Sequence, residues 1–486
     1  MSTALQLHPD RLFPTQESTR SIARRLYNHV KDMPIISPHG HTDPAWFAHN
    51  EPFTDATELL VKPDHYLFRM LYSQGVPLSA LGLGSAGRGS AGSGSAGSGS
   101  AGSAPNETDN RKIWHLFSQH YHLFRGTPSR TWLDTVFSEV FGLKVALSSA
   151  TADHYYDHIG ELLVSPEYLP RALFERFNIE LLATTESPLN DLKHHQTLRD
   201  SQWNGRIITA FRPDPVVDPE FEGFISNVAQ LGKLTGQDTG SWQGYLTALR
   251  QRRDFFRSMG ATSTDHGHPS AATADLPIAQ CQQLFAKAVQ GQCNAAEAEL
   301  FRAQMLTEMA AMSIADGLVM QIHPGSFRNH NARVFGDFGR DHGADIPTKI
   351  EYVKALKPLL DRYGNDLRLS IIVFTLDETT YSRELAPLAG HYPVLKLGPS
   401  WWFHDSPEGM RRFREQVTET AGFYNTVGFN DDTRAFMSIP ARHDVARRMD
   451  CGFLAELVAD HRLREDEAME LAEDLSYNLV KKAYQL

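Results

Sequence analysis

LVMQIH, residues Leu318 to His323, is the stretch that decides the fold, because it is short, almost wholly apolar, and ends in a reactive side chain. Such a run is typical of a strand in a parallel sheet that is covered by helices. Seven similar runs occur, most of them followed by a helical stretch. They are Met33 to His39, Ile179 to Thr185, Gly205 to Phe211, Ala261 to Asp265, Leu367 to Phe374, Val394 to Gly398 and Phe423 to Phe429. Eight strand–helix units predict an α/β fold, the (β/α)8 or TIM barrel.

The spacing of the runs predicts the domain organisation. Roughly 140 residues separate the first run from the second, which is far more than a βα connection requires. We expect a barrel over residues 33–450 that is interrupted by a helical insertion at residues 42–178. Residues 1–32 are predicted to form an N-terminal helical segment and residues 451–486 the C-terminal helices.

Residues 82–103, within the insertion, repeat Gly, Ser and Ala as GSAG units. Such a tract has no apolar side chains whose burial would offset the entropy of ordering, so it is predicted to be a flexible loop. Its regularity resembles an engineered linker, and we assign it no function. If it replaces a natural segment, any lid or contact made by that segment is missing.

Composition narrows the class of protein. A formal net charge of −11 argues against a nucleic-acid-binding surface, which needs clustered Lys and Arg, and favours a small-molecule substrate. The three cysteines show no CxxC spacing, so we expect a reduced, cytoplasmic protein. The N-terminus lacks a signal-peptide pattern, and no apolar stretch is long enough to cross a membrane. Neither nucleic acid nor a membrane is therefore an expected partner.

The first run ends in a pair of histidines, His39 and His41. Alternate residues of an extended chain point the same way, so both imidazoles can bind one metal ion. Asp432 follows the eighth run, which neighbours the first in a closed barrel, and is the third candidate ligand. The pair can also be incidental among 22 histidines. Asp432 can instead be a helix N-cap with Thr433 as its competitor, although Asp431 suits that role better.

Three arginines, Arg212, Arg328 and Arg434, follow three different runs. Converging guanidinium groups bind a carboxylate well, although any single arginine can equally form a surface salt bridge. Trp401 and Trp402 follow the seventh run, and only one of them can face inward. Either serves in the core or at a subunit interface, or stacks on the C–H face of a sugar.

The motifs at the ends of these runs resemble the uronate isomerase (glucuronate isomerase) family of the amidohydrolase superfamily. The resemblance covers the chain apart from the Gly/Ser/Ala tract. It rests on HGH at 39–41, DHY at 64–66, TTESP at 184–188, FRPD at 211–214, TDH at 264–266, QIHPGSFR at 321–328, GPSWWF at 398–403 and DDTRAF at 431–436.

The resemblance implies interconversion of D-glucuronate with D-fructuronate and of D-galacturonate with D-tagaturonate. It implies one divalent metal ion, zinc or manganese, on His39, His41 and Asp432, and a homo-oligomer, for which we expect a trimer. It further implies a substrate site formed by Tyr66, Arg212, Asp265, His323, Arg328, Trp401 and Arg434, with His65 beside it. One metal ion is expected, because the sixth run offers no histidine for a second.

Aldose–ketose isomerisation needs a base near carbon, an acid near the carbonyl oxygen, and positive charge to hold the enediolate. Asp432 or Asp265 is the candidate base, and Tyr66 or His323 the candidate acid. Arg434 would steady the oxyanion, while Arg212 or Arg328 would bind the substrate carboxylate.

Two other functions stay open. The first is a mononuclear metal hydrolase of the same superfamily that acts on a lactone or amide. The second is a non-catalytic binder of sugar acids, if the Gly/Ser/Ala tract has removed a necessary lid.

Overall fold

The structure is a computed structural model that describes residues 3–84 and 106–486. From residue 85 onward, the Gly/Ser/Ala tract predicted as a flexible loop lies outside the described residues.

Within the part of the chain that the structure describes, seven parallel strands form the central sheet, and adjacent strands are hydrogen-bonded in the order in which they occur along the chain. They are β1 (Ile35–Ser37), β2 (Ile179–Glu186), β3 (Arg206–Phe211), β4 (Ser263–His266), β5 (Val319–Ile322), β8 (Ile371–Val373) and β9 (Leu395–Leu397). Between β5 and β8, the short strands β6 (Ser326–Phe327) and β7 (Ile346–Pro347) form a separate antiparallel pair. Each of the seven strands falls within or overlaps one of the predicted runs.

The eighth run behaves differently from the others. Within the described residues it contributes a single parallel bridge from Thr426 to Leu397 instead of a strand. Gly428, with φ +78°, turns the chain out of the extended conformation there. The chain then returns to the first strand, because the amide of His41 donates to the carbonyl of Thr433 at 3.1 Å. The fold is thus a (β/α)8-type barrel whose eighth strand is reduced to a bridge.

Helices fill the connection between β1 and β2. The α-helices are Pro44–His49, Ala56–Leu60, His65–Ser73, Asn110–His120, Pro128–Thr135, Ala152–Leu163 and Pro170–Arg176, with 3-10 turns at Leu78–Leu81, Tyr121–Phe124 and Pro166–Tyr168 and a π-turn at Val136–Val140. Their core is aromatic, with Trp114, Phe117 and Phe137 fully buried. The same apolar cluster includes Ile35 of β1, so these helices pack directly on the barrel.

The remaining helices surround the sheet. The α-helices are Glu17–Val30, Lys193–Arg199, Asp214–Val217, Phe224–Thr235, Trp242–Ser258, Ile278–Val289, Ala295–Asp316, Ala332–Phe338, Lys357–Tyr363, Ala386–Ala389, Pro407–Ala421, Ile439–Ala459, Glu465–Glu473 and Leu479–Tyr484, with a 3-10 turn at Phe436–Ser438 and π-turns at Tyr381–Leu385 and Asp474–Asn478. Asn294 and Glu297 form a capping box that fixes the start of Ala295–Asp316. Within the described residues, no helix is long and apolar enough to cross a membrane.

The last helix, Leu479–Tyr484, packs into the barrel interior. Val480 and Tyr484 belong to the same buried cluster as Ile36 of β1 and Ile372 of β8. The Tyr484 hydroxyl donates to the Gln321 side-chain oxygen at 3.0 Å. This end of the chain therefore supports the strand that leads into His323.

Candidate active site

The two histidines that follow β1 meet Asp432 at the barrel mouth. His39 Nε2 lies 3.4 Å and His41 Nε2 3.1 Å from the same carboxylate oxygen, Asp432 Oδ1. Asp432 has φ +38°, a left-handed conformation that is uncommon outside glycine. The chain thus leaves the reduced eighth strand in a turn that brings this carboxylate to the first strand.

These three residues fit a divalent metal ion. Ligand atoms about 2.0–2.2 Å from a tetrahedral metal ion lie roughly 3.4 Å from one another, close to the separations between Asp432 Oδ1 and the two imidazole nitrogens. Asp432 Oδ1 is buried and makes no hydrogen bond within the described residues, although His41 Nε2 lies nearby. The three ligand atoms thus converge without hydrogen bonds between them, which is the arrangement that a metal site requires.

The electrostatic surroundings favour the protonation states that metal ligands need, which are an ionised carboxylate and a neutral imidazole. Burial by itself would raise the pKa of Asp432, but the neighbouring His39 and His41 imidazoles outweigh it and hold that pKa well below its ordinary value. Burial lowers the pKa of His41 against the opposing pull of Asp432. The carboxylate is therefore ionised and the His41 imidazole neutral near pH 7, as coordination demands.

A second acid–histidine pair lies beside the first group. Asp265 on β4 accepts a hydrogen bond from His323, which directly follows β5, because these two strands are paired in register. The His323 ring lies 5.9 Å from the His39 ring, between centroids. Among the described residues, His39, Asp265 and His323 form one further group with ligand atoms within 4.8 Å of one another.

Arg212 compensates the charge of the buried Asp265. Its Nη1 lies 3.4 Å from Asp265 Oδ2, and its Nε donates to Asp214 Oδ2 at 2.8 Å. Burial opposes ionisation of Asp265, but His323, His39 and Arg212 together hold its pKa well below the ordinary range. Asp265 is therefore an anion that lies beside one guanidinium group and two imidazoles.

The other two predicted arginines lie at the rim of the barrel, paired with carboxylates that were not among the predicted site residues. Arg328 Nη1 donates to Asp345 Oδ2 at 2.9 Å, and Arg434 Nη2 to Asp341 Oδ2 at 3.2 Å. Burial would raise the pKa of Asp341, yet Arg434 and Arg328 hold it low. Both carboxylates lie in the excursion of the chain between β6 and β7. No sequence motif marks them.

The two tryptophans that follow β9 have different positions. Trp401 is buried, its indole N–H donates to Asp432, and its ring lies 5.0 Å from that of His323. Trp402 lies farther out, with its ring 5.4 Å from His65 and with the Arg328 guanidinium 5.5 Å from its centre. Trp401 is thus the one that faces Asp432 and His323.

His65 and Tyr66 lie on the first turn of helix His65–Ser73, where the Asp64 side chain caps the helix by accepting from the Tyr66 amide at 2.8 Å. His65 Nε2 is buried and has no hydrogen-bond partner among the described residues. Burial, followed by the charge of Arg434, lowers the pKa of His65 to about 3. A neutral imidazole therefore faces the rim near Arg434.

The Tyr66 hydroxyl is directed toward the loop after β9. It donates to Asp405 and accepts from the amide of Phe403. Arg442, on helix Ile439–Ala459, pairs with Asp405. Asp405 stands near the WWF motif, which is the only sequence signal that marks it, whereas nothing in the sequence marks Arg442.

Comparison with known proteins identifies the family. A family model described as glucuronate isomerase matches residues 15–87 and 101–484. The uronate isomerase of Phenylobacterium zucineum is 66% identical over 486 residues, covering 100% of this chain and 98% of the relative.

Solved structures agree with this match. The crystal structure of glucuronate isomerase from Caulobacter crescentus has a TM-score of 0.94 and 62% identity, and the match covers 99% of this chain and 97% of that one. The uronate isomerase of Thermotoga maritima has a TM-score of 0.89 at 26% identity, with 99% of each chain covered. The predicted family is confirmed, and this chain belongs to the glucuronate isomerase (uronate isomerase) family.

Proposed function

We propose that this enzyme interconverts D-glucuronate with D-fructuronate and D-galacturonate with D-tagaturonate by aldose–ketose isomerisation. Family membership supports the reaction class. The observation that carries the proposal is the set of His39, His41 and Asp432 beside the Asp265–His323 pair, within a rim of arginines. Together they place carboxylates, imidazoles and positive charge at one barrel mouth.

We further propose that His39, His41 and Asp432 hold one divalent ion, zinc or manganese. When bound, such an ion supplies Lewis acidity that polarises a substrate oxygen. The convergence of three ligand atoms supports this assignment. Asp265 and His323 are hydrogen-bonded to each other, which favours one ion over two.

Asp432 is the better base of the two aspartates. Its side chain is 15% exposed, whereas that of Asp265 is 0% exposed and enclosed by His323 and Arg212. A base must touch the carbon-bound proton, so exposure at the mouth favours Asp432 for taking the proton from C2 and returning it to C1. Asp265 instead orients His323, whose other ring nitrogen, Nδ1, has no hydrogen-bond partner among the described residues and is our candidate for contacting the substrate oxygen.

The rim arginines suit the anionic end of the substrate. Arg434 pairs with Asp341, and Arg328, which pairs with Asp345, adds positive charge that also acts on Asp341. A uronate carboxylate has the same charge and shape, and Trp402 beside Arg328 offers an aromatic face for the sugar. Arg434 lies at the same rim and would also steady the enediolate oxygen, with Arg212 nearer to Asp265.

The test is to incubate the metal-loaded enzyme with each uronate and to measure the ketose product colorimetrically. A panel of lactones and amides is run in parallel. Ketose formation from either uronate is expected. Hydrolysis of a lactone or amide without ketose would contradict the proposal, and tight uronate binding without turnover would support a non-catalytic binder.

The family resemblance also supports a homo-oligomer, and we propose a trimer, which light scattering of the purified protein tests. A cytoplasmic location fits the free thiols of Cys281, Cys293 and Cys451. Fractionation of cells that express the protein tests that location.

A further inference from the structure

The chain contains the tripeptide His-Gly-His twice, and the two copies have different surroundings. The first copy, residues 39–41, supplies two of the candidate metal ligands. The second copy, residues 266–268, begins at the last residue of β4 and belongs to neither group of candidate ligands among the described residues. Within those residues it thus lacks the third ligand that Asp432 gives the first copy, and its central residue, Gly267, has another environment.

Gly267 lies where side chains of the active site leave no room for a methyl group. A Cβ atom here would be 2.5 Å from Arg212 Nη2, 3.0 Å from Asp214 Oδ2 and 3.0 Å from His323 Cε1. Non-bonded carbon atoms pack best at about 3.5–4.0 Å, so the Arg212 contact would be far too short and the other two tight. The missing side chain of Gly267 is thus what lets the Arg212 guanidinium group approach the His323 ring.

Two buried carboxylates hold the Arg212 guanidinium group against Gly267. Its Nε donates to Asp214 Oδ2 at 2.8 Å, and its Nη1 lies 3.4 Å from Asp265 Oδ2. Asp214 is 8% exposed and Asp265 0%. The end of an arginine side chain is ordinarily flexible, but this one can move only by giving up buried partners, which is costly. A methyl group on Gly267 is therefore not accommodated by a free rotation of Arg212.

The backbone of Gly267 is fixed by the same carboxylate. Its amide donates to Asp214 Oδ1 at 3.2 Å and to Asp214 Oδ2 at 3.3 Å. The preceding carbonyl, that of His266, accepts from the amide of His323 at 3.0 Å. The loop after β4 therefore cannot move away from Arg212 or from His323 without losing these hydrogen bonds.

The atoms beside Gly267 lie next to groups that have no protein partner. Among the described residues, Arg212 Nη2 makes no hydrogen bond, since the Arg212 side chain donates only through Nε. His323 Nδ1, which is bonded to Cε1, has no hydrogen-bond partner there either. Nη2 carries two N–H donors. A displacement at Gly267 would thus move the polar atoms that Arg212 and His323 can offer to a substrate.

We propose that Gly267 is a positioning residue, whose missing side chain keeps Arg212 and His323 together in the places from which they act on the uronate. A side chain at this position would force them apart. The inference rests on the proposed function, because it requires that Arg212 and His323 act on a uronate.

Steady-state kinetics of Gly267→Ala with D-glucuronate test this role. We expect kcat/KM to fall about 10- to 100-fold, because a misplacement on the order of 1 Å in an active site has an effect of that size. Bound metal, measured by elemental analysis, should stay at the wild-type level, since the nearest atoms do not belong to His39, His41 or Asp432. Wild-type kcat/KM in Gly267→Ala would overturn the proposal.

The double variant Arg212→Lys/Gly267→Ala distinguishes positioning of Arg212 from a general disturbance, because lysine has no Nη2 atom. In the Arg212→Lys background, Gly267→Ala should lower kcat/KM by less than about 3-fold, since both changes act on one contact. Losses that multiply would overturn the proposal. If Arg212→Lys is inactive, a crystal structure of Gly267→Ala decides instead. A displaced guanidinium group is expected, and one in its wild-type position would overturn the proposal.

Gly40→Ala is the matched control, because Gly40 is the centre of the other His-Gly-His copy at the same barrel mouth. A Cβ atom on Gly40 would meet no atom closer than 3.5 Å, the nearest being the carbonyl oxygens of Ala183 and Thr433. Its kcat/KM should stay within about 3-fold of wild type, since such contacts are ordinary. A loss equal to that of Gly267→Ala would overturn the specific role of Gly267.

The same double variant decides the matter if Gly267→Ala does not fold. A folded double variant would support the proposal, because removing Nη2 makes room for the methyl group. A double variant that also fails to fold would overturn it, since something other than Arg212 would then exclude the side chain. Ketose formation by the wild-type enzyme, measured separately, shows whether the proposed function holds in each case.

Discussion

Two groups of side chains at the barrel mouth are held in different ways. The strand-end group consists of His39, His41, Asp265, His323 and Asp432. The rim group consists of Arg328, Arg434, His65 and Tyr66. The first group lies at the ends of paired strands or at the barrel closure, and most of its members contact one another. The second lies on a helix start and on loops, where Asp341, Asp345 and Asp405 hold Arg434, Arg328 and Tyr66. His65 Nε2 has no hydrogen-bond partner among the described residues. We propose from this contrast that the strand ends carry the chemistry, while the rim binds and orients the substrate.

The largest expected effect comes from removing a metal ligand in the strand-end group. Asp432→Asn removes both a charged ligand and the proposed base, so we expect loss of bound metal and a fall in kcat of about 1,000-fold or more. His41→Ala should lose metal as well. Elemental analysis of purified protein measures the metal, and Asp431→Asn, one residue away and paired with His443, should keep it. Unchanged metal content in Asp432→Asn and His41→Ala would refute the ligand assignment.

The second-largest effect is expected at Asp265, and it distinguishes the orientation of His323 from the charge balance of Arg212. Asp265→Asn leaves His323 without its carboxylate partner, and we expect kcat to fall about 100-fold at similar metal content. Asp214→Asn is the comparison, because it removes the other partner of Arg212 and keeps the Asp265–His323 pair. An equal loss in both variants would assign the effect to Arg212 rather than to His323.

A smaller effect, on KM, is expected at the rim. Asp341 is half exposed and pairs with Arg434, so in the proposed function it would compete with a substrate carboxylate for that guanidinium. Asp341→Asn should therefore lower KM for D-glucuronate about 2- to 5-fold with little change in stability, since exposed ion pairs contribute little. Asp337→Asn removes an exposed partner of Arg333 on a helix of the same excursion and should leave KM unchanged. A raised KM in Asp341→Asn would show that Asp341 supports binding instead.

The smallest expected effect is on how the stability of the folded chain depends on pH. Burial lowers the pKa of His65 from 6.5 to about 3 in the folded chain, so between these values the unfolded chain binds a proton that the folded chain excludes. The stability associated with a neutral His65 is full above pH 6.5 and is lost as the pH falls toward 3. When the pH is lowered from 6.5 to 4.5, the Tm of His65→Gln should therefore fall by about 1–2 °C less than the Tm of the wild type. The exposed His8→Gln variant should follow wild type, and parallel curves for all three proteins would contradict the assignment.

The same contrast explains how far the sequence could predict this molecule. Apolar runs report strands that are buried on both faces, so seven of the eight were recognisable, and a residue that ends such a run has a defined place at the barrel mouth. The eighth run does not form a strand, because Gly428 and the left-handed Asp432 turn the chain there. A hydrophobic pattern does not predict such backbone angles.

The partners of the rim residues were not predictable for a related reason. Asp341, Asp405 and Arg442 lie far along the chain from the groups that they hold, and single charged residues on loops and helices look like ordinary surface positions. Only the three-dimensional path of the excursion between β6 and β7, and of the loop after β9, brings them to Arg434 and Tyr66.

The most direct test of the central claim is proton NMR of D-glucuronate incubated with the metal-loaded wild-type enzyme and, in parallel, with Asp432→Asn. We expect signals of D-fructuronate to grow with the wild-type enzyme until equilibrium and to remain at the level of the enzyme-free sample with Asp432→Asn. An unchanged glucuronate spectrum with the wild-type enzyme, or equal conversion by both proteins, would contradict the central claim.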